Sequence, residues 1–403
     1  MAVYEISPAR GAGTPLMRPV ELICFALIVA HAVYLVASYV QGSWIVAPDG
    51  GGVPADFVNV WAAGQLVLQG NPATAYDWPT HKAMEVVALG HPFEGYFGWH
   101  YPPTFLPVAA LLAKMSYVPA QIIFLFATFC SYLFCVRGIV GERAGYVLAA
   151  AFPAVLANYI AGQNGFLSAA LLGGALLMLI ERPVLAGVLL GLLTYKPHLG
   201  LLFPIVLAAS GHWRAFITAG IVAALMAVAS WGAFGTETWT AFFANIGHTS
   251  QAFLSDGWAD FAKLQTAFGL TRMLGGSEPL AWSVQAVLAL MTAAAVTALW
   301  RSRADYEVKA AALGVGAMLV TPYLYTYDLV VLAVPLAFLW RLARARGFLT
   351  HELAGIALAC LLVLIFPVVK APVGFAAVLL VAALIARRAL APHSVSLPAQ
   401  GTA

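Results

Sequence analysis

Charge is the scarcest commodity in this chain. Only 9% of its 403 residues are Asp, Glu, Lys or Arg, against roughly a quarter in an average soluble domain. An ordinary water-soluble globule is thereby excluded. Cysteine is scarce too. Cys24, Cys130, Cys135 and Cys360 all lie inside apolar runs without metal-ligand spacing, and read as inert core thiols. Also missing are a Walker loop, a G-x-G-x-x-G after a strand, an H-E-x-x-H helix and a G-x-S-x-G elbow. These absences weigh against ATP-driven transport, dinucleotide redox chemistry, zinc proteolysis and hydrolase-type nucleophiles. The net charge of +3 sits in short loops and gives no footprint for nucleic acid.

What the chain has is apolar length. Hydrophobic residues make up 62% and mean hydropathy is +0.88. Runs long enough to span a bilayer, or nearly so, fall near 20–40, 120–137, 144–161, 165–181, 184–196, 198–211, 214–234, 279–300, 307–321, 326–341, 352–369 and 372–388. The pair flanking Lys196-Pro197-His198 is short and reads equally as one broken helix, so eleven or twelve spans are expected. The first run starts near Pro19 behind Arg10 and Arg18 and has no small-residue cleavage site. It reads as a retained span. No period of about 20–50 residues repeats, and residues 1–403 read as one all-α polytopic membrane domain.

Two polar stretches, 42–119 and 235–278, interrupt the pattern. Residues 103–118 decide the orientation, because PTFLPVAALLAKMSYV is either a short span or a helix lying on the membrane surface. If it does not cross, fourteen of the twenty Lys and Arg residues face the cytoplasm, as the positive-inside bias requires. If it crosses, Arg137, Arg143 and Arg182 move outside. The non-crossing arrangement is the expectation. It places both polar loops outside and both termini in the cytoplasm.

Polar motifs then gather at the outer ends of separate spans: Asp56-Phe57 with Trp61, Tyr76-Asp77, Tyr101-Pro102-Pro103, Gly162-Gln163-Asn164, Lys196-Pro197-His198, His248, and Tyr325-Thr326-Tyr327-Asp328. Together they would build a pocket at the membrane surface. Each has a plainer reading. Asp56 opens a stretch with apolar residues at helical spacing, so it reads as an N-cap of an interfacial helix. Lys196 interrupts 28 otherwise apolar residues, and either snorkels to the interface or meets an anion. Gln163, Asn164 and Asp328 read as helix caps, and His248 as a surface histidine.

The order of these motifs resembles glycosyltransferase family 87. The similar pattern is D-F-x(3)-W-x-A-x(2)-L-x(2)-G-x-P-x(3)-Y-D, then Y-P-P, G-Q-N, K-P and P-Y-x-Y-x-Y-D-L, between about Pro19 and Trp340. The late motif departs from the family, where many members have a histidine in place of Tyr323 or Tyr325. The resemblance implies a GT-C fold and an inverting transfer of a hexose, mannose above all. The implied donor is a polyprenyl-phosphate sugar, and the acceptor a lipid or glycan on the outer face of the inner membrane. It implies Asp56 as the general base. Such chemistry needs a base for the acceptor hydroxyl and positive charge where the phosphate leaves. Lys196, His248 and Arg272 are the candidates for that charge. Trp61, Tyr76, Asp77, Tyr101, Gln163, Asn164, His198, Tyr327 and Asp328 are expected to bind substrate. A divalent cation is left open, with Asp56 and Asp77 as conceivable ligands. A transporter or flippase would use the same cavity without chemistry, but it predicts paired broken helices, and only one break is visible. A structural assembly subunit would leave the polar motifs unexplained.

Overall fold

The computed structural model describes residues 17–258 and 260–391. Arg10 and both ends of the expected 1–403 unit lie outside them. The described residues form helices and no strands, with only isolated bridge pairs such as Leu264 with Tyr325. The first helix, α1 (Met17–Val40), leaves Leu22, Phe25, Val29 and Val33 exposed, as a helix facing lipid should. The first polar stretch then folds into α2 (Phe57–Leu68), a 3₁₀ turn (Pro72–Tyr76), α3 (Trp78–Leu89), a second 3₁₀ turn (Pro103–Phe105) and α4 (Leu106–Leu112).

Pro103–Leu112 is one short apolar helix of ten residues. At about 1.5 Å per residue it covers about 15 Å, half the thickness of a bilayer core. It is too short to cross by itself. It lies against α2 instead. A Cβ on Gly64 would stand 2.2 Å from the Ala109 carbonyl oxygen, so only glycine admits this approach. Trp61 Nε1 donates to Met115 O at 2.9 Å, and Gln65 Nε2 donates to Ala113 O at 2.6 Å.

The rest of the chain is α5 (Tyr117–Val140), α6 (Ala144–Ala151), α7 (Ala154–Ala161), α8 (Gly165–Met178), α9 (Pro183–Leu192), α10 (Leu202–Ala209), α11 (Trp213–Ser250), α12 (Ala267–Met273), α13 (Glu278–Arg301), α14 (Tyr306–Leu319), α15 (Ala333–Arg346), α16 (Glu352–Leu364), α17 (Phe366–Val369) and α18 (Val373–Leu390). Six of the described helices are long and apolar enough to cross a membrane, or seven if the bent pair α6–α7 is one span. The chain is therefore a multi-pass membrane protein. Others of the eleven or twelve expected apolar runs form shorter apolar helices among the described residues, such as Gly165–Met178, Pro183–Tyr195, Pro197–Ala209 and Glu352–Leu364. The pair α6–α7 bends by 60° at Phe152-Pro153, where the ring has no N–H to give. Lys196-Pro197 separates α9 from α10 with two 3₁₀ turns, and Pro367 sits in the short α17.

The second polar stretch departs from its expected form as a loop over 235–278. Gly235 (φ +78, ψ 171) breaks the helical geometry, but helix resumes at once and runs to Ser250. A π-helical turn (Gln251–Ser255) follows. These last turns of α11 pack on the first polar stretch. Asn245 Nδ2 donates to Trp99 O at 3.2 Å, Trp78 Nε1 donates to Asn245 Oδ1 at 2.9 Å, and His100 Nδ1 lies 2.9 Å from Thr249 Oγ1. The deepest core is built on the 3₁₀ segment Thr326–Leu332 and α15, where Val330, Val331, Val334 and Phe338 are fully buried.

Candidate active site

Four breaks in helical structure converge on one cavity. The first is the Gly162 turn, where Gly162 adopts φ +67, the left-handed conformation that glycine takes without strain. Asn158 clamps the turn from both sides: its Nδ2 donates to Gln163 O at 3.0 Å, and its Oδ1 accepts from Gly165 N at 3.0 Å. Gly165 permits a close approach to the 326–332 segment, since a Cβ there would meet the Tyr327 carbonyl oxygen at 2.7 Å. The second break is Lys196, which Pro197 pushes out of the helical region, to φ −128 and ψ 69. The third is the 3₁₀ segment carrying Asp328, and the fourth is the start of α2 at Asp56.

A continuous chain of hydrogen bonds joins the four. Gln163 Nε2 donates to Asp56 Oδ2 at 2.8 Å. Gln163 Oε1 accepts from the Tyr101 hydroxyl at 3.2 Å and from Asn164 N at 3.1 Å. Asn164 Nδ2 donates to the Tyr101 hydroxyl at 2.7 Å, while its Oδ1 accepts from Lys196 Nζ at 2.9 Å. Lys196 Nζ also donates to Asp328 Oδ1 at 2.5 Å, and Asp328 Oδ2 accepts from Tyr325 N at 3.2 Å. Lys196 and Asp328 are both buried, at 6% and 1% exposure. The lysine thus neither snorkels nor stands unpaired; it is half of a buried ion pair, 5.6 Å from the Tyr327 ring centroid.

Asp56 does not act as a cap. It precedes α2 with αR backbone angles and makes no side-chain bond to the helix start. Asp77, by contrast, caps α3 through Oδ2, which accepts from Thr80 N at 3.1 Å and from Thr80 Oγ1 at 2.5 Å. Burial pushes the Asp56 carboxyl up to about 6, against the lowering pull of the Gln163 bond and the Lys263 and Lys196 charges. A carboxylate so placed is poised to exchange a proton near neutral pH.

The cavity beside this chain has a volume of ≈ 310 Å³. Of the expected substrate residues, Tyr101, Gln163, His198 and Tyr327 stand in its wall, together with Lys196, the expected phosphate partner. Asn164 and Asp328 are bonded directly to Lys196 behind it, and Asp56 is bonded to the lining residue Gln163. Other expected residues lie elsewhere. Trp61 fastens α2 to the turn after α4. Tyr76 donates its hydroxyl to Tyr101 O at 2.9 Å, and with Asp77 and His248 it lines a second cavity. Arg272 is occupied by its own loop. Its guanidinium donates to Ser255 O and Gly276 O and lies over the Phe261 ring.

Several wall residues escaped the sequence reading. Asn59 lies one helical turn after Asp56, and its Oδ1 is buried without a partner. His100 is held neutral by burial, its pKa drawn down to about 4. Asn245, Thr249 and Tyr195 also stand in the wall, beside Tyr323 of the late motif. Tyr195 and His100 directly adjoin motifs already singled out, and adjacency was the available signal. Asn245 and Thr249 carried none beyond their spacing on α11. Asp77 lines the second cavity and caps α3, whereas Asp56 is bonded to Gln163 of the first, and no group of three His, Cys, Asp or Glu among the described residues is arranged to hold a metal ion.

The model of glycosyltransferase family 87 matches residues 99–322, more than half of the chain. The protein belongs to that family. It is therefore a membrane glycosyltransferase, with a sugar donor and an acceptor as its substrates. The family match takes in Tyr101-Pro102-Pro103, Gly162-Gln163-Asn164 and Lys196-Pro197. It begins after Asp56 and ends before Asp328, and the hydrogen-bond chain is what ties those two residues to the matched core. No curated protein and no solved structure matches the chain.

Proposed function

We propose that this glycosyltransferase moves a hexose from a polyprenyl-phosphate donor to a hydroxyl of a lipid or glycan acceptor, with inversion. The reaction would run on the outer face of the inner membrane, with both termini in the cytoplasm as the arginine distribution asks. Asp56 takes the acceptor hydroxyl proton. The freed oxygen attacks the anomeric carbon, and the bond from that carbon to the phosphate oxygen breaks. The electron pair leaves with the lipid phosphate. Lys196 is the cation in the cavity wall, and it stabilises the charge that gathers on the leaving oxygen.

One observation carries this reading. Asp56 stands at a helix start without capping it, and its free carboxylate is bonded instead to the amide that lines the cavity. The test is Asp56→Asn in the purified protein, supplied with radiolabelled polyprenyl-phosphate hexoses. Asparagine keeps the size and can accept from Gln163, but it cannot take the proton. Transfer should fall by a factor of about 10²–10⁴ with the fold intact. Near-normal transfer by the folded variant would remove Asp56 from the role of base. The hexose consumed by the wild type names the sugar.

A further inference from the structure

The second cavity, ≈ 360 Å³ in volume, has no part in the chemistry just described. One helix separates it from the first. Along the last turns of α11 and the π-helical turn after it, Thr249 and Ser250 line the first cavity, His248 and Gln251 line the second, and Asn245 lines both. We propose that the second cavity binds a neutral sugar ring of the acceptor, on the far side of the hydroxyl that receives the new hexose. This rests on the transfer reaction proposed above.

The composition of the wall selects the ligand class. Trp78 and Trp258 meet at a corner, with ring centroids 5.3 Å apart and planes at 68°, so an apolar ring face has a platform to lie on. Trp78 is fixed before any ligand arrives. It stacks on Tyr96 at 4.7 Å, and its Nε1 is held by Asn245 Oδ1. An aromatic side chain already locked in place loses little freedom on binding. Around the corner stand Asp77 and Asp256. Asp77 spends Oδ2 on Thr80, and Asp256 spends Oδ1 on Gln251 Nε2 at 2.9 Å. Each keeps a second oxygen able to accept from a hydroxyl. No Lys or Arg lines this cavity. A phosphate would face two carboxylates, with His248 as the one side chain in the lining that could carry an offsetting charge. A hydroxyl-rich ring with an apolar face meets every group present.

The experiment uses the full chain in lipid nanodiscs, free of sugar-headed detergents. Methyl α-D-mannopyranoside, methyl β-D-glucopyranoside and inorganic phosphate are titrated separately while indole fluorescence is followed. Saturable quenching by a hexoside is expected, with phosphate inert. The affinity should fall about tenfold in Trp258→Ala, the scale of one aromatic contact, and should also fall in Asp256→Asn. Both side chains are exposed, so the fold should survive, and Asp256→Asn keeps the test sound if Trp258→Ala does not fold. Quenching by phosphate, quenching by no probe, or hexoside affinity equal in wild type and both variants overturns the proposal. In that last case Trp258 only anchors the protein at the membrane interface. Consumption of a polyprenyl-phosphate hexose is measured on the same sample. Sugar binding without donor consumption defeats the donor reading and leaves this site standing.

Discussion

Replacing Gln163 by leucine removes the one side-chain donor to Asp56 while keeping most of the volume. The wild-type bond runs from Gln163 Nε2 to Asp56 Oδ2 at 2.8 Å and favours the ionised carboxylate. Hydrogen bonds to charged groups contribute about 1.5–3 kcal/mol. At about 1.36 kcal/mol per pH unit, that is a rise of about one to two units when the bond is lost. The lower end of that range puts the rise near one unit. The sign follows from the role of a base, which works deprotonated. In the wild type, where the carboxyl sits at about 6, transfer should climb through pH 6 and level off above it. In Gln163→Leu the same climb should be centred near pH 7, with the rate down about threefold at pH 6.5 and largely recovered by about pH 8.5. The assay is the pH dependence of kcat/KM with the lipid-phosphate donor. Thermal unfolding serves as the control, because the variant also strips Tyr101 and Asn164 of an acceptor. An equal loss at every pH, with the climb still centred near 6, would refute the reasoning. Gln163 would then merely fill space.

Two further outcomes follow from the same geometry. Lys196→Met leaves Asp328 charged and buried, and breaking such a pair costs about 3–5 kcal/mol. The double variant Lys196→Met with Asp328→Asn should regain most of the lost melting temperature yet keep a raised KM for the lipid-phosphate donor, and thermal scans with donor titrations check both. Gly64→Ala places a methyl 2.2 Å from the Ala109 carbonyl. It should destabilise the α2–α4 contact by about 1–3 kcal/mol, read as a lowered melting temperature and as faster hydrogen exchange in α2.

The membrane character, the places of α1, α5 and α13, and a short helix at the head of 103–118 were all legible in the sequence. Each depends on local properties: apolar length, terminal glycine or proline, and the placement of arginines. The 60° bend between α6 and α7 was not legible, because hydropathy does not register that Phe152-Pro153 bends a run. Helix α11 misled for the opposite reason. Thr236, Glu237 and Thr240 look like loop residues, but a single positive φ at Gly235 suffices to turn the chain and let helix resume. In the site, Gln163, Asn164, Lys196 and Asp328 could be suspected individually, as polar groups where few belong. Their linkage could not, since the Asp56–Gln163 bond spans 107 residues and the Lys196–Asp328 bond spans 132. Arg272 was chosen for its charge, and no local pattern reveals that the carbonyls of Ser255 and Gly276 already occupy it. The plain reading of Asp56 as a cap fitted its position, and only tertiary structure shows the carboxylate turned toward Gln163.

The glycine within α11 also has a mechanical consequence. Spanning helices tilt by amounts that change with bilayer thickness. Residues 213–234 would cover about 33 Å as helix, and residues 236–250 extend about 22 Å further. If α11 were a stiff rod, a tilt of about 10° at its foot would swing its tip by about 10 Å, enough to reshape both cavities. The break at Gly235 works as a joint between an anchor that must follow the lipid and a partition that must hold its angstroms. A joint there would let residues 213–234 follow the lipid while residues 236–250 keep their packing against both cavities.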